Sequence, residues 1–277
     1  MLLCLDVGNT HIFGGVFADD QLLLRFRHKT DYGVTSDQIG IFLKSVLCEN
    51  NLASRNLKCE KKIGPNPKCD GYIDAVAICS VVPPVDYSLK AACKKYLQLE
   101  PFILQAGVKT GVKIKTNNAL ELGADLIAGA IAAIHYYPNK DLLVVDFGTV
   151  TTIVAINKSK EFLGCAFLPG MRTSMHALQS SAAKLHNVEI NKPEQATGRF
   201  TTESIQSGLY YGHIGAIKEI TKRIAEESFG NNSIPTLLAT GGFAHLFAQE
   251  HIFANIDPDL ILHGIRLAHE INNKNKL

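Results

Sequence analysis

Two short acidic turns carry residue types suited to binding a phosphate chain. The first acidic turn is Asp6–Thr10 and the second is Asp146–Thr149, and each lies between two apolar segments. The glycine in each turn lets backbone N–H groups approach a bulky anion. An aspartate repels phosphate, but it fits this setting when it holds a cation that bridges to the phosphate. Either turn alone is equally consistent with an Asx-rich hairpin, whereas the repetition predicts two loops that contact one polyphosphate.

Asp125 is a candidate proton acceptor. It is the one ionisable side chain between Leu122 and Ile134, and burying a lone carboxylate is costly unless it is paired or used in chemistry. A carboxylate in such surroundings can act as a general base for a group within hydrogen-bond reach. The structural alternative is that Asp125 faces solvent in the first turn of a helix and interacts with the helix dipole.

The elements that position these residues repeat along the chain. Apolar alternation predicts three antiparallel strands over residues 1–28, with the first acidic turn between the first two, and a second hairpin over residues 142–157. The order strand, strand, strand, helix, strand, helix occurs with variations in both halves. The sequence therefore predicts an N-terminal half, 1–118, and a C-terminal half, 119–277, built on one duplicated plan.

Helical periodicity places the remaining candidates. One uninterrupted helix is predicted over residues 120–137 and carries the candidate base. A long helix is predicted to begin after a cap at Thr201 or Thr202. Gly208 and Gly212, near the start of this long helix, are predicted to permit close packing against a neighbouring element.

The composition excludes several classes of protein. Among 277 residues, 46% are hydrophobic and 19% are charged, which is typical of a globular protein. The net charge of +2 argues against a nucleic-acid or membrane partner. The seven cysteines show no C-x-x-C spacing, which argues against disulfides and zinc. We therefore predict a cytoplasmic protein. Two polar segments are predicted as well. One is a loop over 49–70, to which no chemistry is assigned, and the other is an irregular lip over 108–118.

Eight motifs stand in the order in which they occur in the type III pantothenate kinase family, within the superfamily of actin, Hsp70 and sugar kinases. They are Asp6–Thr10, Ser80–Pro83, Gly123–Leu126, Val145–Thr152, Pro169-Gly170, Thr201–Gly208, Thr240–Gly242 and Asp259–Gly264. The sequence resembles this family over nearly its whole length. The resemblance implies an α/β fold of duplicated actin-like (ribonuclease H-like) domains with a central cleft.

The resemblance also implies an activity and a set of residue roles. The family phosphorylates pantothenate with ATP, which carries Mg²⁺, in the first step of coenzyme A synthesis, and its members are homodimers. Asp125 is implied as the catalytic base, and Asp146 as the site of a monovalent cation, potassium or ammonium. The implied ATP-binding residues are Asp6, Val7, Gly8, Asn9, Thr10, His11, Ile12, Phe13 and Thr149. The implied pantothenate-binding residues are Gly123, Ala124, Asp125, Leu126 and Thr201.

The substrate-binding part departs from the family pattern. Leu126 stands where the family usually has arginine, and the loss of such a contact to an anionic substrate typically costs roughly 1.5–3 kcal/mol. Residues that could supply the missing charge are Lys113, Lys115 and Arg172. The family's lip tyrosine has no equivalent near Thr116 and Asn117. Two alternatives stay open: a kinase of the same fold for another small alcohol, and a non-catalytic actin-like nucleotide-binding regulatory protein.

Overall fold

The computed structural model describes residues 1–54, 71–182, 184–230 and 233–273. The chain divides into two compact units. The first contains Met1–Thr110, Leu120–Ala128 and Ile261–Leu277, and the second contains Gly111–Ala119 and Gly129–Leu260. The halves predicted from the sequence are continuous, so they coincide with these units only in part. Most of the polar loop predicted over 49–70 lies outside the described residues.

The described residues contain thirteen strands and six α-helices. The strands are β1 (Leu2–Val7), β2 (His11–Ala18), β3 (Gln21–Lys29), β4 (Leu52–Ser54), β5 (Gly71–Ile73), β6 (Ala75–Ser80), β7 (Phe102–Leu104), β8 (Lys113–Ile114), β9 (Leu142–Phe147), β10 (Val150–Ile156), β11 (Glu161–Pro169), β12 (Thr236–Thr240) and β13 (Asn255–Ile256). The helices are α1 (Ser36–Glu49), α2 (Pro83–Ala92), α3 (Ala124–Tyr136), α4 (Met171–Ser181), α5 (Thr201–Phe229) and α6 (Leu260–Asn273). Within the described ranges, no helix has both the length and the apolar character needed to cross a bilayer.

The sheet of the first unit has the order β3-β2-β1-β6-β7. Its central strand, β1, is antiparallel to β2 and parallel to β6, so Asp6 lies opposite Phe13 on one side and Cys79 on the other. Alternate residues of β1, Leu3, Leu5 and Val7, are buried in a core that also contains the apolar faces of α1 and α2. The three antiparallel strands predicted over 1–28 are confirmed.

The sheet of the second unit repeats this plan, with the order β13-β12-β9-β10-β11-β8. Its strand β9 is antiparallel to β10 and parallel to β12, and Asp146 lies opposite Thr152 and Thr240. In β1 and in β9 alike, four buried residues precede a half-buried aspartate and one more buried residue. The α/β class and the duplicated plan are therefore confirmed, and both aspartates end a central strand.

The helix predicted over 120–137 is divided in two. A single 3₁₀ turn, Ala119–Glu121, comes first, and α3 begins only at Ala124. Farther along, α3 passes very close to α6, because a Cβ built on Gly264 would overlap the backbone of Ala128. The candidate base therefore lies at the start of a helix whose position depends on this close approach.

Two helix starts have defined caps, and the cap of α5 lies one residue before the predicted Thr201. The cap of α1 is Thr35, whose side chain accepts a hydrogen bond from the Gln38 N–H at 3.3 Å. The cap of α5 is Phe200, so Thr201 is its first helical residue rather than its cap. Gly208 and Gly212 have open space beside them, so the close packing predicted there is absent from the described residues.

His213 of α5 is buried in an aromatic cluster of the second unit. Its ring stacks on Phe247, and its Nε2 lies 2.9 Å from the hydroxyl of Thr151 in β10. Burial lowers the pKa of His213 below its ordinary value of 6.5. The imidazole is therefore neutral in the folded protein at neutral pH, and it connects α5 to the strand that follows the second acidic turn.

We expect this histidine to make the protein less stable in mild acid. Below about pH 6.5 the unfolded chain binds a proton that the folded chain resists, so the free energy of unfolding falls as the pH is lowered toward the depressed pKa. Urea unfolding at several pH values between 7.5 and 5 would measure this slope. A His213→Gln variant should show a flatter slope over the same interval, and equal slopes for both proteins would contradict the prediction.

Candidate active site

The first acidic turn has a defined backbone conformation. The N–H of Gly8 donates to the carbonyl of His11 at 3.0 Å, which closes the turn between β1 and β2. Asn9, Thr10 and His11 are exposed, whereas the side chains of Val7 and Ile12 are buried in the core. Val7 and Ile12 can therefore contact a nucleotide only through their backbone, while the exposed residues can use side chains as well.

Two residues after β3, Thr30 and Tyr32, brace this turn, and no local sequence pattern predicted them. The hydroxyl of Thr30 donates to the carbonyl of Gly8 at 2.6 Å, and the N–H of Thr30 donates to the carbonyl of Thr10 at 3.0 Å. The hydroxyl of Tyr32 donates to Oδ1 of Asn9 at 3.3 Å. These bonds hold the turn in one conformation before any ligand arrives, which reduces the ordering cost of binding.

Asp125 lies in the first turn of α3, as the solvent-facing alternative also required, but its carboxylate is largely desolvated. Burial raises the pKa of Asp125 above its ordinary value, and hydrogen bonds from the N–H groups of Leu126 and of Asp125 itself partly oppose that rise. The Leu126 N–H donates to Oδ1 at 2.8 Å. A carboxylate of raised pKa is a better proton acceptor than an exposed one, provided that it remains ionised.

The negative charges of Asp6 and Asp125 both act on one buried thiol. Cys79 of β6 lies opposite Asp6 in the sheet. Its pKa is raised first by burial and then by the negative charges of Asp6, Asp125 and Asp86. Such Coulombic effects require the charges to lie near the thiol. The acidic end of β1 and the candidate base therefore belong to the same region of the first unit.

Gly123 and Val81 connect these parts. The N–H of Val81 donates to the carbonyl of Val7 at 3.1 Å, which extends the pairing of β6 with β1 beyond the strand end. A Cβ on Gly123 would lie 3.4 Å from Cγ1 of Val81 and would overlap the carboxylate of Asp125. The lack of a side chain at position 123 therefore leaves room for the Asp125 carboxylate where it lies beside the strand end.

Leu126 and Ala124 contribute differently from the base. The side chain of Leu126 is 8% exposed, so it is buried. Ala124 is half-buried at the start of α3. A pantothenate contact by either residue stays a prediction. An arginine side chain at position 126 would have to extend out of this buried position to contact a substrate.

The second acidic turn is packed against a glycine loop. Asp146 is half-buried at the end of β9, and Thr149 is exposed. Gly241 has a φ of +90° and a Cβ there would overlap the Asp146 carboxylate and lie 2.7 Å from the backbone of Phe147. Only glycine combines this backbone conformation with such a close approach. The Thr240–Gly242 segment therefore borders the second aspartate directly.

The start of α4 contacts the same turn. The N–H of Gly170 and the hydroxyl of Thr173 both donate to the carbonyl of Thr149, at 3.1 and 2.7 Å. A Cβ on Gly170 would overlap the backbone of Gly148 and Thr149. The predicted Pro169-Gly170 turn is thus the point at which a helix N-terminus meets the second acidic turn.

The other predicted residues lie elsewhere. Thr201 is exposed at the start of α5 in the second unit. Lys115, one candidate for the missing charge, forms an ion pair with Glu161 at 3.4 Å. A cavity of about 370 Å³ in the second unit contains none of the predicted site residues. Its lining is Tyr136, Tyr137, Leu238, Ala239, Asn255, Asp257 and Leu260.

Comparison with known proteins agrees with this geometry. A family model described as type III pantothenate kinase matches residues 2–223. A type III pantothenate kinase of Legionella pneumophila is 53% identical over 272 residues, covering 98% of this chain and 99% of that relative. The chain belongs to the type III pantothenate kinase family. Type III pantothenate kinase 1 of Francisella tularensis subsp. holarctica is 46% identical over 272 residues, covering 98% of this chain and 100% of that relative.

Solved structures extend the comparison to the fold. The ROK hexokinase of Thermus thermophilus superposes with a TM-score of 0.51 at 13% identity, covering 99% of each chain. The ethanolamine utilization protein EutJ of Carboxydothermus hydrogenoformans superposes with a TM-score of 0.54 at 14% identity, covering 96% of this chain and 88% of that chain. At these identities the likeness shows a shared fold alone. This chain therefore shares its fold with both of these proteins.

Proposed function

We propose that this protein transfers the γ-phosphoryl group of ATP to pantothenate, the first step of coenzyme A biosynthesis. The observation that carries the proposal is the desolvated carboxylate of Asp125, which shares the surroundings of the Cys79 thiol with Asp6 of the first acidic turn. Family membership supports ATP and pantothenate as the substrates. The braced backbone of the first acidic turn supports it as the nucleotide-binding loop.

In the proposed reaction one proton is transferred, one bond to phosphorus forms and one bond to phosphorus breaks. The primary hydroxyl oxygen of pantothenate attacks the γ-phosphorus, Asp125 accepts the hydroxyl proton, and the bond from phosphorus to the bridging oxygen of ADP breaks. Mg²⁺ bound to ATP neutralises charge on the phosphate oxygens. Asp6 is the residue of the first unit suited to hold that ion, directly or through water. The roles of Gly8, Asn9 and Thr10 are to orient the phosphate chain.

The family's monovalent cation fits the residues around Asp146. Among the described residues, no group of three or more His, Cys, Asp and Glu side chains could hold a metal ion, so other oxygen donors must complete a site. Thr152 and Thr240 lie opposite Asp146 on either side, and paired residues point to the same face of a sheet. The Thr240 hydroxyl is buried and has no hydrogen-bond partner in the described part of the chain. At the corresponding places beside Asp6 stand Phe13 and Cys79. Hard oxygen donors therefore favour Asp146 as the site for potassium or ammonium.

A Thr240→Val variant tests this cation site. We expect it to weaken binding of thallium(I), a potassium analogue, by roughly tenfold, because one oxygen donor to a charged group is lost. Thallium NMR measures binding without turnover. Thr236→Val at the opposite end of β12 is a matched control that should bind thallium normally. Unchanged affinity in Thr240→Val would show that this hydroxyl does not face the cation.

The decisive experiment for the overall function is a turnover assay. Purified protein with MgATP, potassium and pantothenate is expected to form 4′-phosphopantothenate and an equal amount of ADP, both measured by mass spectrometry. Because Leu126 replaces the family arginine, a kinase of the same fold for another small alcohol is the alternative to test. A panel of related small alcohols tests it, and turnover of one of them in place of pantothenate would favour it. ADP formation without a phosphorylated acceptor would favour the regulatory alternative. Homodimer formation and a cytoplasmic location stay predictions, and sedimentation in solution tests the former.

A further inference from the structure

Arg172 lies in the part of α4 that is bonded to the second acidic turn. Gly170, two residues before it, and Thr173, directly after it, donate hydrogen bonds to the carbonyl of Thr149. The backbone of Gly170 contacts Gly148 so closely that no side chain fits there. The first turn of α4 is therefore fixed relative to the second acidic turn, and so is the backbone of Arg172.

The guanidinium of Arg172 reaches toward the glycine loop on the other side of Asp146. Its central carbon lies 5.9 Å from the centroid of the Phe243 ring. Phe243 directly follows Gly241 and Gly242, and its N–H donates to the carbonyl of Phe147 at 3.4 Å. Arg172 thus lies between the second acidic turn, to which its helix is bonded, and the Thr240–Gly242 segment, which Phe243 follows.

The charge of Arg172 has no acidic counterpart in the ranges that the structure describes. Its side chain is exposed, and no Asp or Glu among those residues forms an ion pair with it. By contrast, Arg223, on the exposed surface of α5, is paired with Glu219 at 2.6 Å. An arginine can bind an anion from solution when its guanidinium lies over an aromatic ring and its N–H groups are not paired with a carboxylate.

We propose that Arg172 binds the phosphate chain of ATP. The proposal rests on the proposed function, because it takes the second acidic turn as a nucleotide contact. Phosphate is favoured over the base because a guanidinium makes paired hydrogen bonds to phosphate oxygens. The N-terminus of α4, an 11-residue helix, adds a positive potential at the same place. Arg172 is then a nucleotide-binding residue. The positive charge toward pantothenate that the family arginine supplies at position 126 must come from another group.

Direct binding measurements on two variants test this proposal. Arg172→Met keeps the length of the side chain but loses its charge, and Arg172→Lys keeps the charge but loses the paired donors. Calorimetry with MgATP is expected to show a loss of affinity of roughly tenfold to a hundredfold for Arg172→Met and a smaller loss for Arg172→Lys. Adenosine affinity should be unchanged in both variants. Arg223→Met, which removes a paired arginine of the same unit, is the matched control and should bind MgATP normally.

Each other outcome overturns the proposal in a recognisable way. An equal loss for adenosine and ATP would move the contact to the base or ribose. A raised KM for pantothenate with normal ATP affinity would make Arg172 the substitute for the family arginine at position 126. Normal binding of every ligand would leave Arg172 without a ligand role. Since the readout is ATP binding, it remains decisive even if the wild-type protein fails to phosphorylate pantothenate. Thermal unfolding of each variant identifies any loss that comes from misfolding.

Discussion

Replacement of Asp125 by asparagine should lower kcat by on the order of 10²–10⁴-fold, the usual contribution of a positioned base. Asparagine has nearly the same shape but cannot accept the hydroxyl proton. The dissociation constant of MgATP should change little, because the first acidic turn is braced by Thr30 and Tyr32 independently of Asp125. Steady-state kinetics and calorimetry on the same preparation measure both quantities.

The pH profile and a matched variant make this test specific. Burial raises the pKa of Asp125, so kcat of the wild type should fall as the pH is lowered through a midpoint above the ordinary 3.8. Asp86 provides the control because its charge also affects the Cys79 thiol, yet the proposed reaction gives it no task. Asp86→Asn should therefore retain most activity. Near-normal kcat in Asp125→Asn would remove this carboxylate from the mechanism.

Replacement of Gly264 by alanine is expected to destabilise the protein by roughly 1–3 kcal/mol or more, the usual cost of overpacking. The added methyl group would overlap the backbone of Ala128, which cannot rotate aside as a side chain can. Either α6 or α3 must shift, and Asp125 lies one helical turn before Ala128 in α3. Urea unfolding should show the lost stability, and kcat should fall while ATP affinity changes less.

Gly212 of α5 offers the matched control for this substitution. A Cβ at Gly212 would meet nothing within 4 Å, although the residue also lies inside a helix. Gly212→Ala should therefore be neutral or stabilise the protein by roughly 0.5–1 kcal/mol, since alanine restricts the unfolded chain and favours helix. If both variants had the same stability, the crossing of α6 and α3 would not depend on close backbone contact.

Much of the site follows from local sequence. A strand that ends in an aspartate, followed by a glycine turn and a second strand, has a conformation set mainly by neighbouring residues, so the first and second acidic turns were predictable. The isolation of Asp125 in an apolar segment marked it as a candidate base, but the sequence left open whether its carboxylate is buried or faces solvent; the structure shows that it is largely buried. The exact helix starts were less predictable, because Thr35 and Ser36 are both good caps and the choice depends on the reciprocal bond with Gln38.

The sequence by itself determined the duplicated plan, the two acidic turns and the candidate base, because each depends on apolar spacing and on residues within a few positions of one another. Only the tertiary structure decided that Thr30 braces Gly8, that Thr240 lies beside Asp146, and that Arg172 reaches Phe243. These partners are distant along the chain, and strand register or the direction of a helix start brings them together. Such placements depend on the free energy of the whole folded unit. A pattern among neighbouring residues therefore cannot predict them.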